Sequence, residues 1–424
     1  MTDDTALERT TLRRVAWRFI PLLMACYLFA YIDRVNVGFA AITANRDLGL
    51  SPAQFGFGAG LFFISYFFTE LPSNLALVKF GAGPWLSRIM VTMGLIAAGM
   101  ALVRGPWSFY VLRLALGAAE AGLFPGVVFF MSRWFPRQWR ARTVALFTLS
   151  IPLSSLLGSP ISGALLGLDG WLGLKGWQWL FVLEGVPCVI LGLLLLPVLS
   201  EAPAEAHWLM PAQRDWLSAT LVAERVARGE EPFRSWSLIT DPRVLAYAAA
   251  FFGVTAGGYG LTLWLPLMVK AFGFSNALTG VVTAIPFGFG CVATILWGRH
   301  SDQHGERVWH TALAAFVAAA GLAACVFVTS PTATMLALSV AAVGIFGIRG
   351  PFWVLLAERF SGVTAAAGVA LVSSMASLAG FAGPYFVGWF KQWTGSFSPG
   401  LLFLAALSLL GGVIVLLRAR VERA

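Results

Sequence analysis

The chain has 424 residues, 58% of them hydrophobic and only 12% charged, with a net charge of +9 and a mean hydropathy of +0.79. Soluble domains carry roughly 25% charged residues, so this composition excludes a soluble fold and indicates a membrane protein. The charges fall in short bands between apolar runs of about 20 residues, the length that crosses the hydrocarbon core as helix; a β-barrel would alternate over about 10.

Twelve spans are expected, at roughly 17–41, 53–78, 85–103, 107–131, 142–167, 177–199, 243–270, 277–298, 308–329, 333–357, 364–392 and 398–418. Residues 1–14 are polar, and the apolar run after them is too long for the core of a cleavable signal peptide, so it reads as an anchor. The longest connection, 200–242, holds Pro203, Pro211, Pro232 and mixed charges. It divides the chain into a six-helix bundle at 1–199, a middle loop, and a second six-helix bundle at 243–424. The expected fold is therefore an all-α membrane protein of twelve transmembrane helices in two pseudo-symmetric halves.

Lysine and arginine are distributed unevenly between the two sides. One side collects Arg9, Arg13, Arg14, Arg18, Lys79, Arg88, the Arg133–Arg142 cluster, the middle-loop arginines, Arg299, Arg307, Arg359 and the C-terminal arginines, 21 in all. The other holds Arg46, Arg104, Lys175, Lys270 and Lys391, five in all. The positive-inside rule then predicts both termini and the middle loop in the cytoplasm. Topology thus accounts for the positive charge without a nucleic-acid partner. Three arginines, Arg34, Arg113 and Arg349, fall inside spans.

The halves repeat. GLSPAQFG at 49–56 matches GFSNALTG at 273–280, Gly81 matches Gly305, and Pro160 matches Pro384, all at an offset of 224. Parallel repeats of this kind place a substrate site near the midplane between them. At the same offset Asp33, Arg34, Arg113 and Glu120 correspond to Gly257, Gly258, Ala337 and Gly344, so the first half carries most of the intramembrane charge.

Arg113 to Pro125, RLALGAAEAGLFP, carries a positive and a negative charge inside an apolar run. A charge near the bilayer centre costs a few kcal/mol even on lenient scales, which makes it a functional candidate by default. Arg113, Gly117, Glu120 and Phe124 fall on one helical face, either as a buried pair that fixes packing or as part of a binding site. Asp33 and Arg34 are adjacent and point about 100° apart, so they address different neighbours. One arrangement sends Arg34 into the cavity and Asp33 toward the fourth span and Arg113. Cys26, Cys188, Cys291 and Cys325 lie in apolar segments without CxxC spacing and read as small buried hydrophobes. His207, His300, His304 and His310 lie in polar connections, leaving a carboxylate as the intramembrane proton carrier. There is no metal-ligand cluster, nucleophile motif or phosphate-binding glycine loop in the sequence, so no enzyme, metal site or cofactor is expected.

GRHSDQHGER at 298–307, with Gly298, Asp302, Gly305 and Arg307, resembles the loop signature GxxxDxxGxR of the major facilitator superfamily. YIDRVNVGFA (31–40), ELPSN (70–74), RLALGAAEAGLFP (113–125) and WQWLFVLEGVP (177–187) resemble, within it, the anion:cation symporter family of organic-anion transporters. The resemblance covers nearly the whole chain. It implies proton-coupled uptake of a small organic anion such as a sugar acid, hydroxy acid, or mono- or dicarboxylate; an exporter, an anion exchanger or a sodium-coupled carrier on the same fold, and a ligand sensor that does not transport, are the alternatives. It further implies that Asp33 and Glu120 bind the coupling protons and that Arg34 holds the substrate carboxylate, a role suited to a planar guanidinium. By the same analogy the protein works as a monomer in the inner membrane. Arg113 is expected to gate or pair beside the substrate, and Tyr31 and Tyr66 to offer phenols to it or to pack. Glu70 and Glu184, within these motifs, read as gating or helix-contact residues.

The chain departs from the family in the eleventh span, where Ser373 and Ser377 replace asparagines, and in the tenth, where Arg349 stands at a position expected to be small or neutral. Arg349 precedes Trp353 by one helical turn. Two readings are open: contact with a second carboxylate or polar end of the substrate, with Trp353 as a pocket aromatic, or snorkelling and pairing with Glu358. Gly158, Pro160 and Gly163 mirror Gly383, Pro384 and Gly388, and are assigned to close helix contact and rocking of the halves.

Overall fold

Turn chemistry fixes where the helices begin and shows the repeat directly. Ser51 and Ser275 each cap a helix, accepting a hydrogen bond from the N–H of Gln54 at 3.3 Å and of Leu278 at 3.2 Å. Two residues before each, Gly49 and Gly273 adopt positive φ of 65° and 85°, and Gly81 and Gly305 do so at 92° and 61° after the following helices. These pairs all share the offset of 224, so the two halves enter and leave equivalent helices through equivalent turns. Prolines open further helices at Pro52, Pro106, Pro242 and Pro331, where the missing N–H is not needed.

The computed structural model describes residues 2–228, 241–359 and 362–421. The first half comprises α1 (Thr2–Val35), α2 (Val37–Asp47), α3 (Pro52–Phe80), α4 (Ala82–Gly99), α5 (Pro106–Glu120), α6 (Leu123–Ser132), α7 (Arg137–Thr148), α8 (Ser150–Leu165) and α9 (Gly176–Val198). After α10 (Pro211–Arg228), the second half holds α11 (Pro242–Lys270), α12 (Asn276–His304), α13 (Val308–Ala324), α14 (Pro331–Gly347), α15 (Arg349–Arg359), α16 (Gly362–Thr394) and α17 (Ser398–Val421). Among the described residues, eleven helical stretches are long and apolar enough to cross a membrane, and α13 is a shorter apolar helix. Four spans are each built from two consecutive helices: α1–α2, α5–α6, α7–α8 and α14–α15. The chain is thus an all-α, multi-pass membrane protein.

Two boundaries differ from expectation. The first span runs on to Asp47, and the middle connection is not simply a loop. Its α10 is an amphipathic helix that buries Leu217 and Gln213. It is tied to the first half by Arg14 Nη1, which donates to Gln213 Oε1 at 3.1 Å, and by Glu224, which accepts from Arg137 N and Arg140 Nη2. Pro232 and Arg234 of the same connection lie outside the described residues.

The side that carries the helix termini Thr2 and Val421 is called the terminal face, and the opposite one the far face. Toward the far face the halves interlock through small residues. A Cβ at Gly56 would meet the Pro384 carbonyl oxygen at 2.5 Å, one at Gly163 the Asn276 carbonyl oxygen at 2.7 Å, and one at Gly38 the Leu263 carbonyl oxygen at 2.6 Å. Ser51 Oγ donates to Gln392 Oε1 at 2.8 Å across the same seam. Toward the terminal face, Ser374 Oγ donates to Glu70 Oε2 at 3.4 Å between the halves.

The loop signature folds into the α12–α13 turn. Gly305 supplies the positive φ, Asp302 Oδ1 pairs with Arg307 Nη1 at 2.8 Å, and Arg307 Nε reaches Glu358 Oε1 of α15 at 3.7 Å. Gly298 lies beside Gly350 of α15, a Cβ at Gly350 falling 3.8 Å from its Cα, while a Cβ at Gly298 itself would face open space. In this turn burial alone would raise the Glu306 carboxyl. Hydrogen bonds from Trp309 N–H and from the His310 ring and N–H outweigh that and hold it below its usual range.

Candidate functional site

The site is built around a break in the fourth span. α5 ends at Glu120, Ala121 leaves the helix, and Gly122 takes φ 91° before α6 restarts. The carbonyl that this break frees is not left bare: Ser73 Oγ of α3 donates to Ala121 O at 2.6 Å, and Trp85 Nε1 of α4 donates to the same hydroxyl at 3.0 Å. Glu120 is therefore held at a helix end, fully buried, where its carboxylate faces α1.

There it meets Arg34. Arg34 Nε donates to Glu120 Oε1 at 3.1 Å, Nη2 donates to the same oxygen, and Nη1 donates to the Tyr259 hydroxyl of α11 at 3.1 Å. The guanidinium carbon lies 5.3 Å from each ring centroid of Tyr31, Phe62 and Tyr66, an aromatic collar that suits a cation. Glu120 Oε2 has no hydrogen-bond partner. Tyr259 brings the second half into the site, so the pair sits where the halves meet. Tyr31 and Tyr66 are buried beside Arg34, while Tyr259 is half-buried and packs on Phe63 at 4.4 Å.

Arg113 is close by but not ion-paired. Its Nη2 donates to Ala59 O at 3.0 Å and its guanidinium lies 5.0 Å from the Phe62 ring, leaving Nε and Nη1 unpartnered although the residue is fully buried.

Asp33 behaves differently from expectation. It does not face Arg113. Its Oδ2 accepts from Cys188 Sγ of α9 at 3.2 Å and its Oδ1 from Asn36 Nδ2 at 3.2 Å. The roughly 100° between neighbouring side chains holds, but it sends Asp33 to the back of α1, against the sixth span. Cys188 is thus a hydrogen-bond donor to a carboxylate rather than only a small hydrophobe.

In the second half, Arg349 begins α15, stacks at 5.5 Å from Phe346 and acts electrostatically on Tyr27 and Tyr31 across the interface. It makes no ion pair among the described residues, and Glu358, its alternative partner, belongs to Arg307. Trp353, half-buried, packs on Phe251 at 5.0 Å and Phe352 at 5.4 Å. Ser377 Oγ bonds back to Ser373 O at 3.3 Å within α16, and both are half-buried. The serine that crosses to the other half is Ser374, on Glu70. Gly158 and Gly383 pack within their own halves, against Ile32 and Ala256, whereas Pro160 and Pro384 abut Gly280 and Gly56 between halves.

Sequence reasoning passed over Tyr259, Ser73 and Trp85. The offset of 224 offered a signal for Tyr259, because it places that residue next to the counterparts of Asp33 and Arg34. Nothing comparable marked Trp85.

Residues 23–369 match the Major Facilitator Superfamily model. The chain is 46% identical over 420 residues to a protein of Agrobacterium vitis named "Putative tartrate transporter", covering 99% of this chain and 93% of that one. It is 40% identical to a "Quinolone resistance transporter" of Acinetobacter baumannii, covering 98% and 96%. Its fold is that of a bacterial homologue of the human lysosomal transporter Spinster, with a TM-score of 0.76 at 17% identity over 95% and 96% of the two chains. With a family model matched over most of its length and relatives named as transporters, the chain belongs to the major facilitator superfamily, a family of transporters and not of enzymes.

Proposed function

We propose that this carrier takes up a small organic anion together with protons across a bacterial inner membrane, by alternating access, with both termini in the cytoplasm. The observation that carries the reading is Arg34 held by Glu120 inside a collar of tyrosines at the meeting of the halves. Protonating Glu120 weakens its hold on two guanidinium donors, Nε and Nη2, and those donors match a carboxylate in a fork. Loss of the proton restores the internal pair and expels the anion. No cofactor enters this cycle; the coupling ion is H+. Asp33 is the second coupling carboxylate.

A hydroxy-dicarboxylate fits best as substrate. The Agrobacterium vitis relative is named for tartrate, and Arg349, stacked on Phe346 and without an ion pair among the described residues, supplies a second cation from the second half. With the termini in the cytoplasm, the seam at the far face and the sparse link at the terminal face describe an inward-facing carrier.

Uptake into proteoliposomes tests this, using labelled mono- and dicarboxylates with and without an inward proton gradient. Wild type should accumulate substrate only with the gradient. Glu120→Gln should lose accumulation but retain counterflow exchange, and Arg349→Ala should weaken dicarboxylate uptake about tenfold more than that of the monocarboxylate analogue. Accumulation indifferent to the gradient sinks the symport reading; equal losses in Arg349→Ala sink the dicarboxylate assignment. The second reading, proton-driven export, is favoured by the 40% identity to a quinolone resistance transporter. It predicts that an outward-directed drug flux, and no carboxylate uptake, follows the gradient.

A further inference from the structure

Behind Arg34, around Asp33, lies a second polar cluster whose other members the cycle above does not use. Glu184 of α9 is buried at 3% exposure in the sixth span. Its Oε1 accepts from Ser162 Oγ of α8 at 2.6 Å, and its Oε2 has no partner. Asn36, at the junction of α1 and α2, donates to Asp33 Oδ1 and lines the same small void as Ser162, the donor to Glu184, and its own Oδ1 has no partner among the described residues. Cys188, the donor to Asp33, stands one turn after Glu184 on α9, so both carboxylates meet the same face of that helix.

Among the described residues, the side chains that bond to or act on the pair are neutral or acidic. From α1 come Asn36 and Cys26, from α8 Ser162, and from α9 Cys188. From α5 comes Glu120, whose oxygen is taken by Arg34. α4 meets α9 here through backbone, a Cβ at Gly185 lying 2.8 Å from both Gly94 O and Ala98 N. Two ionised carboxylates on one helix face with no cation, at this depth, is an arrangement proteins avoid. A proton on the pair removes one charge and supplies a donor to a cluster that has two unpartnered buried oxygens.

A small void, with room for about one water, is lined by Asn36, Ser154, Ser155, Ser159, Ser162 and Thr262 between the halves. Ser155 Oγ, in that lining, is itself unpartnered.

We propose that Asp33 and Glu184 form a proton-sharing pair beside Asn36, reached from the void through Ser162, which alternates between one proton and two. Glu184 is then the positioning residue that keeps Asp33 ready to take the coupling proton. The incoming proton goes from water in the void to whichever carboxylate of the pair is ionised, while Asn36 only donates a hydrogen bond and carries no proton, so no bare double charge forms. This rests on the reading of Asp33 as a coupling carboxylate, and the test separates the two.

Infrared spectra of the reconstituted wild type, titrated in H2O and D2O, should show a deuterium-sensitive C=O band of a protonated carboxyl that persists to the alkaline end of the titration. A second such band should grow as the pH falls. Glu184→Gln should remove the persistent band. Ser162→Ala, which keeps the carboxyl but deletes its donor, should move that band to higher frequency at unchanged intensity. A wild-type spectrum with no protonated carboxyl at the alkaline end overturns the proposal without recourse to any variant, as does a persistent band that Ser162→Ala leaves in place. The bands present without proton-driven uptake would keep the pair and overturn the symport reading. Their absence with coupled uptake intact would overturn the pair alone.

Discussion

Arg34 spends three of its nitrogens on two partners, Glu120 and Tyr259. Its geometry therefore matters as much as its charge. Lysine keeps the charge but offers a point donor without the fork, and cannot hold Glu120 and Tyr259 together. Arg34→Lys should weaken anion binding by tenfold to a hundredfold, about 1.5–3 kcal/mol for lost charge-assisted hydrogen bonds. Equilibrium binding of labelled substrate to purified protein measures this, and affinity within twofold of wild type would show that charge alone suffices. That Arg34, Arg113, Asp33 and Glu120 are functional candidates was legible in the sequence, since each is a charge inside an apolar run. Their pairing was not. Asp33 faces Cys188 and Asn36 rather than Arg113 because α1 packs its rear face on α9, and helical spacing alone does not say which neighbour lies behind a face.

At the scale of elements, the break between α5 and α6 is what aims Glu120. Gly122 permits the turn, but Ser73 and Trp85 sustain it by satisfying the Ala121 carbonyl in a place water does not reach. Ser73→Ala leaves that carbonyl and the Trp85 N–H without a partner, at a cost of about 1–3 kcal/mol. A lower melting temperature in detergent is expected, together with weaker gradient-driven uptake, and Ser73→Thr should restore both. An unchanged melting temperature would mean that the break holds itself. The motif ELPSN was visible as a motif, yet its serine's task was hidden, because its acceptor is a backbone atom 48 residues away. The amphipathic helix α10 was likewise absent from the sequence reading, masked by prolines and mixed charge in the connection that contains it.

Over the whole molecule, the far-face seam is the feature that sets the conformation. Gly163 is closed upon by the backbone of Asn276 and Gly280, whereas Gly167, a turn further on, faces open space. Gly163→Val should therefore force the seam apart, raising hydrogen–deuterium exchange in α8 and in the first turns of α12, while Gly167→Val leaves both unchanged. Exchange in Gly163→Val no faster than in wild type would show that the seam is not held by close approach at this glycine.

The sequence by itself determined the membrane, the twelve spans, the duplication and the buried charges. These follow from local quantities: the length of apolar runs, the offset between matching turns, and the cost of a charge in hydrocarbon. Only the tertiary structure decided which carboxylate Arg34 holds, where Asp33 turns, and which glycines join the halves rather than pack within them. Contacts between helices far apart in sequence depend on rotation and depth about each axis. Those are fixed by side chains meeting across the bundle, and no period along one helix encodes them.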